Sequence, residues 1–292
     1  MKNKKFKLVI SSGKGGVGKS MLASSLAILF AQMHKLVALD CDVDAPNLAI
    51  WLSEVQRWDK IKNISVSEKP VIDYKKCNSC GLCAKYCQFG AIKMIKKKPI
   101  VNPFTCEGCG ACEIFCPQKA IELKPVKSGK IKIKKTKYGF PLISGQLFPG
   151  EVGSGKIVSE VKREADQYEY EIIIIDSSPG TGCPVIASLQ DANFVVLVTE
   201  PTPSAFTDLK RVLEVVNYFQ LPYRVVINKW DLDKGLSQKI KKWAEKRFLG
   251  QISYDQQIFQ AISKLRPIME TKLKAKKEIK NIFNNLVREN LV

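Results

Sequence analysis

Apolar runs and helix-spaced apolar residues alternate along most of this chain, and the alternation fails in one stretch. Residues 6–12 (Phe-Lys-Leu-Val-Ile-Ser-Ser) read as a buried strand. Ser20–Met33 then places Leu22, Leu26, Leu29, Phe30 and Met33 on one helical face. Residues 35–40 form a second strand ending in acids. Further strands are predicted at 171–176, which holds four consecutive isoleucines, and at 194–199, 224–228 and 249–253. Helical stretches separate them, most plainly Ser204–Phe219. Strands alternating with helices predict an α/β fold: a mostly parallel sheet with helices on both faces.

The rhythm breaks near residue 66 and returns near 155. Eight of the ten cysteines lie in the interruption, as two copies of one pattern. The first copy is Cys77, Cys80, Cys83 and Cys87; the second is Cys106, Cys109, Cys112 and Cys116, followed by Pro117. Each copy leads into a similar short element, Phe89-Gly90-Ala91-Ile92 and Gln118-Lys119-Ala120-Ile121, so the stretch is an internal repeat with a period of 29 residues (77 to 106). The spacing resembles the bacterial ferredoxin run, in which the fourth cysteine ligates the other run's cluster. That resemblance implies a small α+β insert with two [4Fe–4S] clusters, one on Cys77, Cys80, Cys83 and Cys116, the other on Cys106, Cys109, Cys112 and Cys87. Gln88 stands where many ferredoxins have proline, at a position that is not a ligand. The expected organisation is residues 1–66 and 155–292 as one domain, 67–125 as the insert, and 126–154 as a connecting hairpin. Its alternating lysines and isoleucines (Lys130 to Lys134) read as exposed.

Hydrophobic content of 45% is enough for an ordinary core. The basic start, Met1–Lys7, is followed by only Leu8-Val9-Ile10, too short for a secretory core of about 7–15 residues. No apolar run reaches the roughly 18 residues of a membrane helix. Metal-type cysteine spacing without a leader implies reduced thiolates and a cytoplasmic protein. Net charge is +19, from 47 basic and 28 acidic residues, yet aromatics do not interleave with the basic runs, which argues against nucleic acid. Residues 71–126 carry nine lysines and four acids, a balance of +5.

Gly13-Lys14-Gly15-Gly16-Val17-Gly18-Lys19-Ser20 fits G-x-x-x-x-G-K-[ST] between a strand and a helix. Backbone N–H groups of Gly13, Gly15, Gly16, Val17 and Gly18 would close on phosphates, with the helix N-terminus behind them. Lys19 is placed to meet the β- and γ-phosphates, and Ser20 to ligate Mg²⁺. Acids at the strand end, Asp40, Asp42 and Asp176, sit where such sheets bind ligands.

The second lysine carries a closer resemblance. Lys14 with Lys19 resembles the deviant Walker A motif of the MinD, ParA and Mrp ATPases. The resemblance implies that Lys14 crosses a homodimer interface to the partner's ATP, that Asp42 in Asp40-Cys41-Asp42-Val43-Asp44 orients the attacking water, that Asp40 lies near the metal, and that Asp176 holds a Mg²⁺-bound water. Asn228-Lys229-Trp230-Asp231 looks like the guanine reader of GTPases, but these relatives place an asparagine here against adenine, so ATP is expected. Pro201, in Glu200-Pro201-Thr202-Pro203, resembles the edge of the base pocket. Ser178 replaces a proline common in the second switch of Mrp-like chains.

The match extends over nearly the whole chain and is similar to MinD/Mrp-type ATPases with an inserted ferredoxin domain. It implies an ATPase whose nucleotide state governs electron transfer to a protein partner, or maturation of that partner's metal centre. A cluster carrier and a ParA-like positioning ATPase with structural clusters are the alternatives. The insert leaves between Asp40–Asp44 and Asp176–Gly182, so it is expected to respond to nucleotide. Cys41 reads as a small buried residue and Cys183 as a helix start or a redox or transient cluster-binding position. His34, the only histidine, is expected at the surface. Ile279–Val287 fits either a last helix on the sheet or a membrane-targeting one, and membrane binding is the less favoured.

Overall fold

The computed structural model describes residues 5–288; the extreme basic start, Met1–Lys4, lies outside them. The chain divides into two compact units. One takes the chain up to Ile61, then Ile131–Gln146, then Ser154 onward; the other is Lys62–Lys130 with Leu147–Gly153. In chain order the elements begin with β1 (Phe6–Ser12), α1 (Lys19–Phe30), β2 (Leu36–Cys41), α2 (Leu48–Trp51) and β3 (Lys60–Ile64). The cysteine-rich stretch supplies β4 (Ser67–Ile72), α3 (Leu82–Lys85), β5 (Ile92–Ile95), β6 (Lys98–Val101), α4 (Ala111–Ile114) and β7 (Ile121–Val126). Then come β8 (Gly129–Lys135), β9 (Pro141–Leu147), α5 (Ser154–Ala165), β10 (Ile172–Pro179), α6 (Cys183–Leu189), β11 (Phe194–Thr199) and α7 (Pro203–Tyr218). The chain continues through β12 (Tyr223–Asn228), α8 (Lys234–Ala244), β13 (Phe248–Ile252), α9 (Gln257–Ser263) and α10 (Lys274–Arg288).

The large sheet has the order β13-β12-β11-β1-β10-β2-β9-β8-β3. From β13 to β9 every pairing is parallel. The central strands β1, β2, β10 and β11 carry near-continuous apolar runs because both of their faces are covered. Leu8, Ile10, Ile172, Ile174 and Val196 face α1 and α10; Val9, Ile173, Ile175 and Leu197 are buried on the opposite side, where α5, α6, α7 and α8 lie. β1 sits between β10 and β11, with β2 beyond β10. The connections after β1 and β11 therefore run to opposite sides, and a crevice opens at the C-terminal end of β1.

The expected exposed hairpin is corrected. β8 and β9 join the large sheet, and Ile131, Ile133, Phe140, Leu142 and Ile143 are buried. The lysine–isoleucine alternation is a half-buried strand's period of two, with the isoleucines on the covered face. α10 lays Ala275, Ile279, Ile282 and Leu286 into the core. Phe283 meets the ring of Phe30 at 4.8 Å, and the Asn285 amide donates to the Leu249 carbonyl. Its apolar face is therefore covered by the sheet. Among the described residues no helix is long and apolar enough to cross a membrane.

The second unit holds two two-stranded antiparallel sheets, β4–β7 and β5–β6, and the single-turn helices α3 and α4. Gly81 and Gly110 occupy equivalent helix starts, both with left-handed φ (77° and 81°). Tyr86 and Phe115, equivalent in the repeat, stack at 4.1 Å between ring centroids.

Candidate nucleotide site and cysteine pockets

The loop after β1 is shaped by contacts that exclude side chains. A Cβ on Gly13 would stand 2.1 Å from the Asp208 carbonyl oxygen. A Cβ on Gly18 would stand 2.2 Å from the Asn228 side-chain nitrogen, and Gly18 has φ +95°. Such a loop turns N–H groups inward only by turning carbonyls outward, and those carbonyls need donors. Adjacent residues supply them. Asn228 Nδ2 donates to the Val17 carbonyl at 2.8 Å, and Lys229 Nζ donates to the Gly16 carbonyl at 3.1 Å. Lys229 also pairs with Glu200 at 2.8 Å. Gly15 completes the loop's small residues, and Ser20 is buried in the first turn of α1.

Lys19 is buried at the start of α1. Its Nζ donates to Asp176 Oδ1 at 2.7 Å and lies 3.8 Å from Asp42 Oδ2 and 3.5 Å from Ser20 Oγ. Burial alone would lower the affinity of this ammonium for its proton. The Asp176 carboxylate, and behind it Asp42 and Asp40, raise it above the ordinary lysine value instead. Burial, reinforced by Asp176, pushes the Asp40 carboxyl well above the usual range, and burial likewise raises Asp42. Three buried carboxylates thus face one ammonium. Asp40 is tied on both oxygens, accepting from the Leu48 N–H at 3.0 Å and the Asp42 N–H at 3.3 Å. Asp176 Oδ2 is buried without a hydrogen-bond partner among the described residues.

Lys14 is held in its own chain: Nζ donates to Ser204 Oγ at 3.3 Å and stands 3.6 Å from Glu200 Oε1. A cleft opens beside Gly16 and Gly18, lined by Met21, Trp51, Asn228, Tyr254, Ile258 and Phe259 among others. Pro201 is buried and is not among those lining residues. Asp231, the acid of the N-K-x-D stretch, accepts the Tyr254 N–H at 2.7 Å.

The cysteines fall into two sets in space. Cys77, Cys80, Cys83 and Cys116 line one small cavity; Cys87, Cys106, Cys109 and Cys112 line another. The fourth cysteine of each run has crossed to the other set. The Ala91 N–H donates to Cys87 Sγ at 3.2 Å and the Ala120 N–H to Cys116 Sγ at 3.3 Å. Among the described residues no three His, Cys, Asp or Glu side chains stand close enough together to hold a single metal ion.

Residues 8–268 match the CobQ/CobB/MinD/ParA nucleotide binding domain. The chain belongs to that family. Among its relatives is the uncharacterized protein MJ0578 of Methanocaldococcus jannaschii, 43% identical over 76% of this chain and 78% of that protein. An iron-sulfur cluster carrier protein of the same organism is 23% identical over 98% of this chain and 85% of that protein. Two solved structures share the fold. The septum site-determining protein MinD of Pyrococcus horikoshii, complexed with Mg-ADP, has TM-score 0.61 at 16% identity, over 98% of this chain and 97% of that one. The Pyrococcus furiosus cell division ATPase MinD has TM-score 0.60 at 17% identity, over 98% and 99%.

Not every expected residue of this MinD/ParA-family chain joins the site. Cys41 is fully buried at the end of β2 beside β10, where Ser178 Oγ donates to its carbonyl at 3.0 Å. Cys183 is exposed at the start of α6. His34 is partly exposed, 3.6 Å from Glu171. The sequence reading missed Lys229 as a brace of the loop and Trp51, Met21, Ile258 and Phe259 as cavity wall. Only the adjacency of Lys229 to Asn228 offered a signal.

Proposed function

We propose that this chain is a Mg·ATP-dependent ATPase that dimerises around nucleotide and carries two [4Fe–4S] clusters, coupling its nucleotide state to electron transfer or metal-centre maturation in a protein partner. The observation that carries the reading is the joint presence, in one chain of this family, of a phosphate loop and two four-cysteine cavities. In a monocluster protein the fourth cysteine would stay with its own run; here each cavity takes one cysteine from the other run. The backbone donors on Cys87 and Cys116 fit thiolates, whose negative charge such N–H groups stabilise. For Mg²⁺, the unpartnered Asp176 oxygen and the excess of carboxylates over cations supply the fit.

In this reading Gly13, Gly15, Gly16, Val17 and Gly18 hold the phosphates with backbone N–H groups, and Lys19 neutralises the β- and γ-phosphate oxygens. Ser20 and Asp176 would hold the cation, which supplies charge stabilisation for phosphoryl transfer when bound. Asp40 braces the first switch through its two backbone bonds and sets the metal's field. Asp42 orients the attacking water, and Lys14 leaves Glu200 to reach the partner's nucleotide. Catalysis is then positioning and charge stabilisation of an in-line attack on the γ-phosphate. Asn228 and the Tyr254–Phe259 wall would take the adenine, with Pro201, just after β11, at the pocket's edge.

The test is anaerobic purification with iron, sulfide and turnover measured together. About eight irons per chain are expected from two four-iron clusters. Cys87→Ser should cost the cluster of Cys106, Cys109 and Cys112 and spare the other. Lys19→Ala should abolish Mg·ATP binding, Asp42→Asn should bind but scarcely hydrolyse, and Lys14→Ala should bind without dimerising. Zinc in place of iron, or a hydrolytically normal Lys14→Ala, would overturn the corresponding half.

The carrier reading has its own support in the names of the distant relatives and in the exposure of Cys80 and Cys109. A carrier should lose iron to an apo-protein on ATP addition, whereas a redox device should retain it.

A further inference from the structure

The β5–β6 hairpin presents two different faces. Its register pairs Ile92 with Val101, Lys93 with Ile100, Met94 with Pro99 and Ile95 with Lys98. The strand period of two therefore puts Ile92, Met94, Pro99 and Val101 on one side and Lys93, Ile95, Lys98 and Ile100 on the other. Most of the first side is inward, although Met94 stays 37% exposed. Pro99 lines the cavity of Cys77, Cys80, Cys83 and Cys116, and Ile92 and Val101 pack with Cys83. The second side is open: Ile95 is 53% exposed and Ile100 42%. Lys96 and Lys97 form the turn, both exposed and both with left-handed φ (47° and 62°).

The charges on this face are unbalanced within the chain. Among the described residues none of Lys93, Lys96, Lys97 and Lys98 has an acid at ion-pair distance; Lys98 lies 5.6 Å from the centre of the Tyr74 ring. The other half of the internal repeat is the control. On its equivalent β4–β7 sheet, Lys124 meets Glu122 at 3.3 Å and Lys69 meets Glu151 at 2.8 Å. The β4–β7 sheet thus has these lysines paired with acids, whereas the β5–β6 hairpin sets four unpaired lysines around two exposed isoleucines. Apolar residues inside a ring of one charge sign are the anatomy of a transient protein-docking surface.

We propose that the outer face of the β5–β6 hairpin docks an acidic electron-transfer protein, which exchanges one electron with the cluster held by Cys77, Cys80, Cys83 and Cys116. The proposal rests on the cluster reading above. The step is a single electron transfer: the partner's redox centre is oxidised by one electron as the cluster is reduced, and no bond or proton moves. Ile95 and Ile100 supply the apolar centre and the four lysines the long-range attraction. Pro99, which lines that cavity, sits in the same two-stranded layer as the lysine face.

The experiment is stopped-flow reduction of the cluster-loaded, full-length protein by two donors. One is a reduced acidic ferredoxin; the other is reduced methyl viologen, a small donor without an acidic surface. Wild-type protein should be reduced by the ferredoxin at a rate that falls steeply with ionic strength, as steered association does. Lys96→Glu with Lys97→Glu should slow that reaction at least tenfold at low salt. Reduction by viologen, iron content and ATP hydrolysis should stay unchanged, and Lys124→Glu should have no effect. Equal ferredoxin rates in wild type and the double variant would overturn the proposal. So would lysines that act only against strand-edge self-association, seen as altered oligomeric state at unchanged rates. Duplex DNA binding abolished by the same substitutions, at unchanged ferredoxin rates, would reassign the face to nucleic acid. Protein free of iron and sulfide would overturn the cluster reading and this proposal with it; loaded protein with equal rates would overturn this proposal alone.

Discussion

Lys69 and Glu151, 82 residues apart in sequence, meet at 2.8 Å with both side chains largely withdrawn from water. Lys69 Nζ also donates to the Pro103 carbonyl at 2.7 Å and the Gly150 carbonyl at 3.4 Å. One ammonium thus fastens the returning segment Leu147–Gly153 onto the cysteine-rich unit. A second lock lies beside it, where a Cβ on Gly150 would stand 2.3 Å from the Phe104 ring. Lys69→Ala would leave Glu151 half-buried and unpaired. The expected loss is about 3 kcal/mol, the low end for breaking a buried pair. Denaturant unfolding read on the cysteine-rich unit should show it, with nucleotide affinity unchanged. Replacing both partners, as Lys69→Met with Glu151→Leu, should recover most of the loss.

Asn228 is predicted to act on the phosphate loop before it acts on a base. Asn228→Ala removes the donor to the Val17 carbonyl, an unmade bond worth about 1–3 kcal/mol. Affinity for ATP and for inorganic tripolyphosphate should fall by similar factors. If ATP binding weakens and tripolyphosphate binding does not, the side chain reads the base instead.

Asp231 bears on nucleotide choice. A guanine reader needs a free carboxylate, and this one is engaged by the Tyr254 N–H. Competition binding should favour ATP over GTP, and Asp231→Asn should leave the ratio unaltered while loosening the 253–255 turn. A strong GTP preference in the wild type would contradict this assignment.

The two cysteines outside the runs should differ sharply in reactivity. The thiolate is the nucleophile. Burial, with the Asp40 carboxylate next to it, holds the Cys41 thiol far above its ordinary value, so it stays protonated at pH 8. Exposed Cys183 should take up iodoacetamide in the native protein, and Cys41 only after denaturation. Peptide mass mapping of the cluster-loaded protein checks both.

The elements most legible in the sequence were those whose signal is local. The four isoleucines of β10 are buried on both faces, so composition alone marks that strand. The glycines at 13, 16 and 18 announce a loop whose strain and close contacts only glycine tolerates. Where a residue's role depends on what covers it, the chain gave half the answer. Ile131 and Ile133 alternate with lysines as any surface strand might, and only the position of β9 decides that they are inside. The apolar face of α10 suited a membrane as well as a sheet until Phe30 and Gly250 met it. The cavity wall is harder still. Trp51, Met21 and Phe259 come from three distant segments, and no spacing rule links them.

β3 and β8 lie side by side at the edge of the large sheet, and the whole cysteine-rich stretch hangs between them. Neighbouring strands are about 4.8 Å apart, a gap that a two-residue turn spans. A two-residue turn could therefore stand in for residues 65–128, with Leu147–Gly153 losing the unit it packs on. Splicing β3 directly to β8 through Asn-Gly should yield a nucleotide-binding protein with its parallel strands intact. The same junction is a port for grafting a different module into the frame of a nucleotide-binding domain.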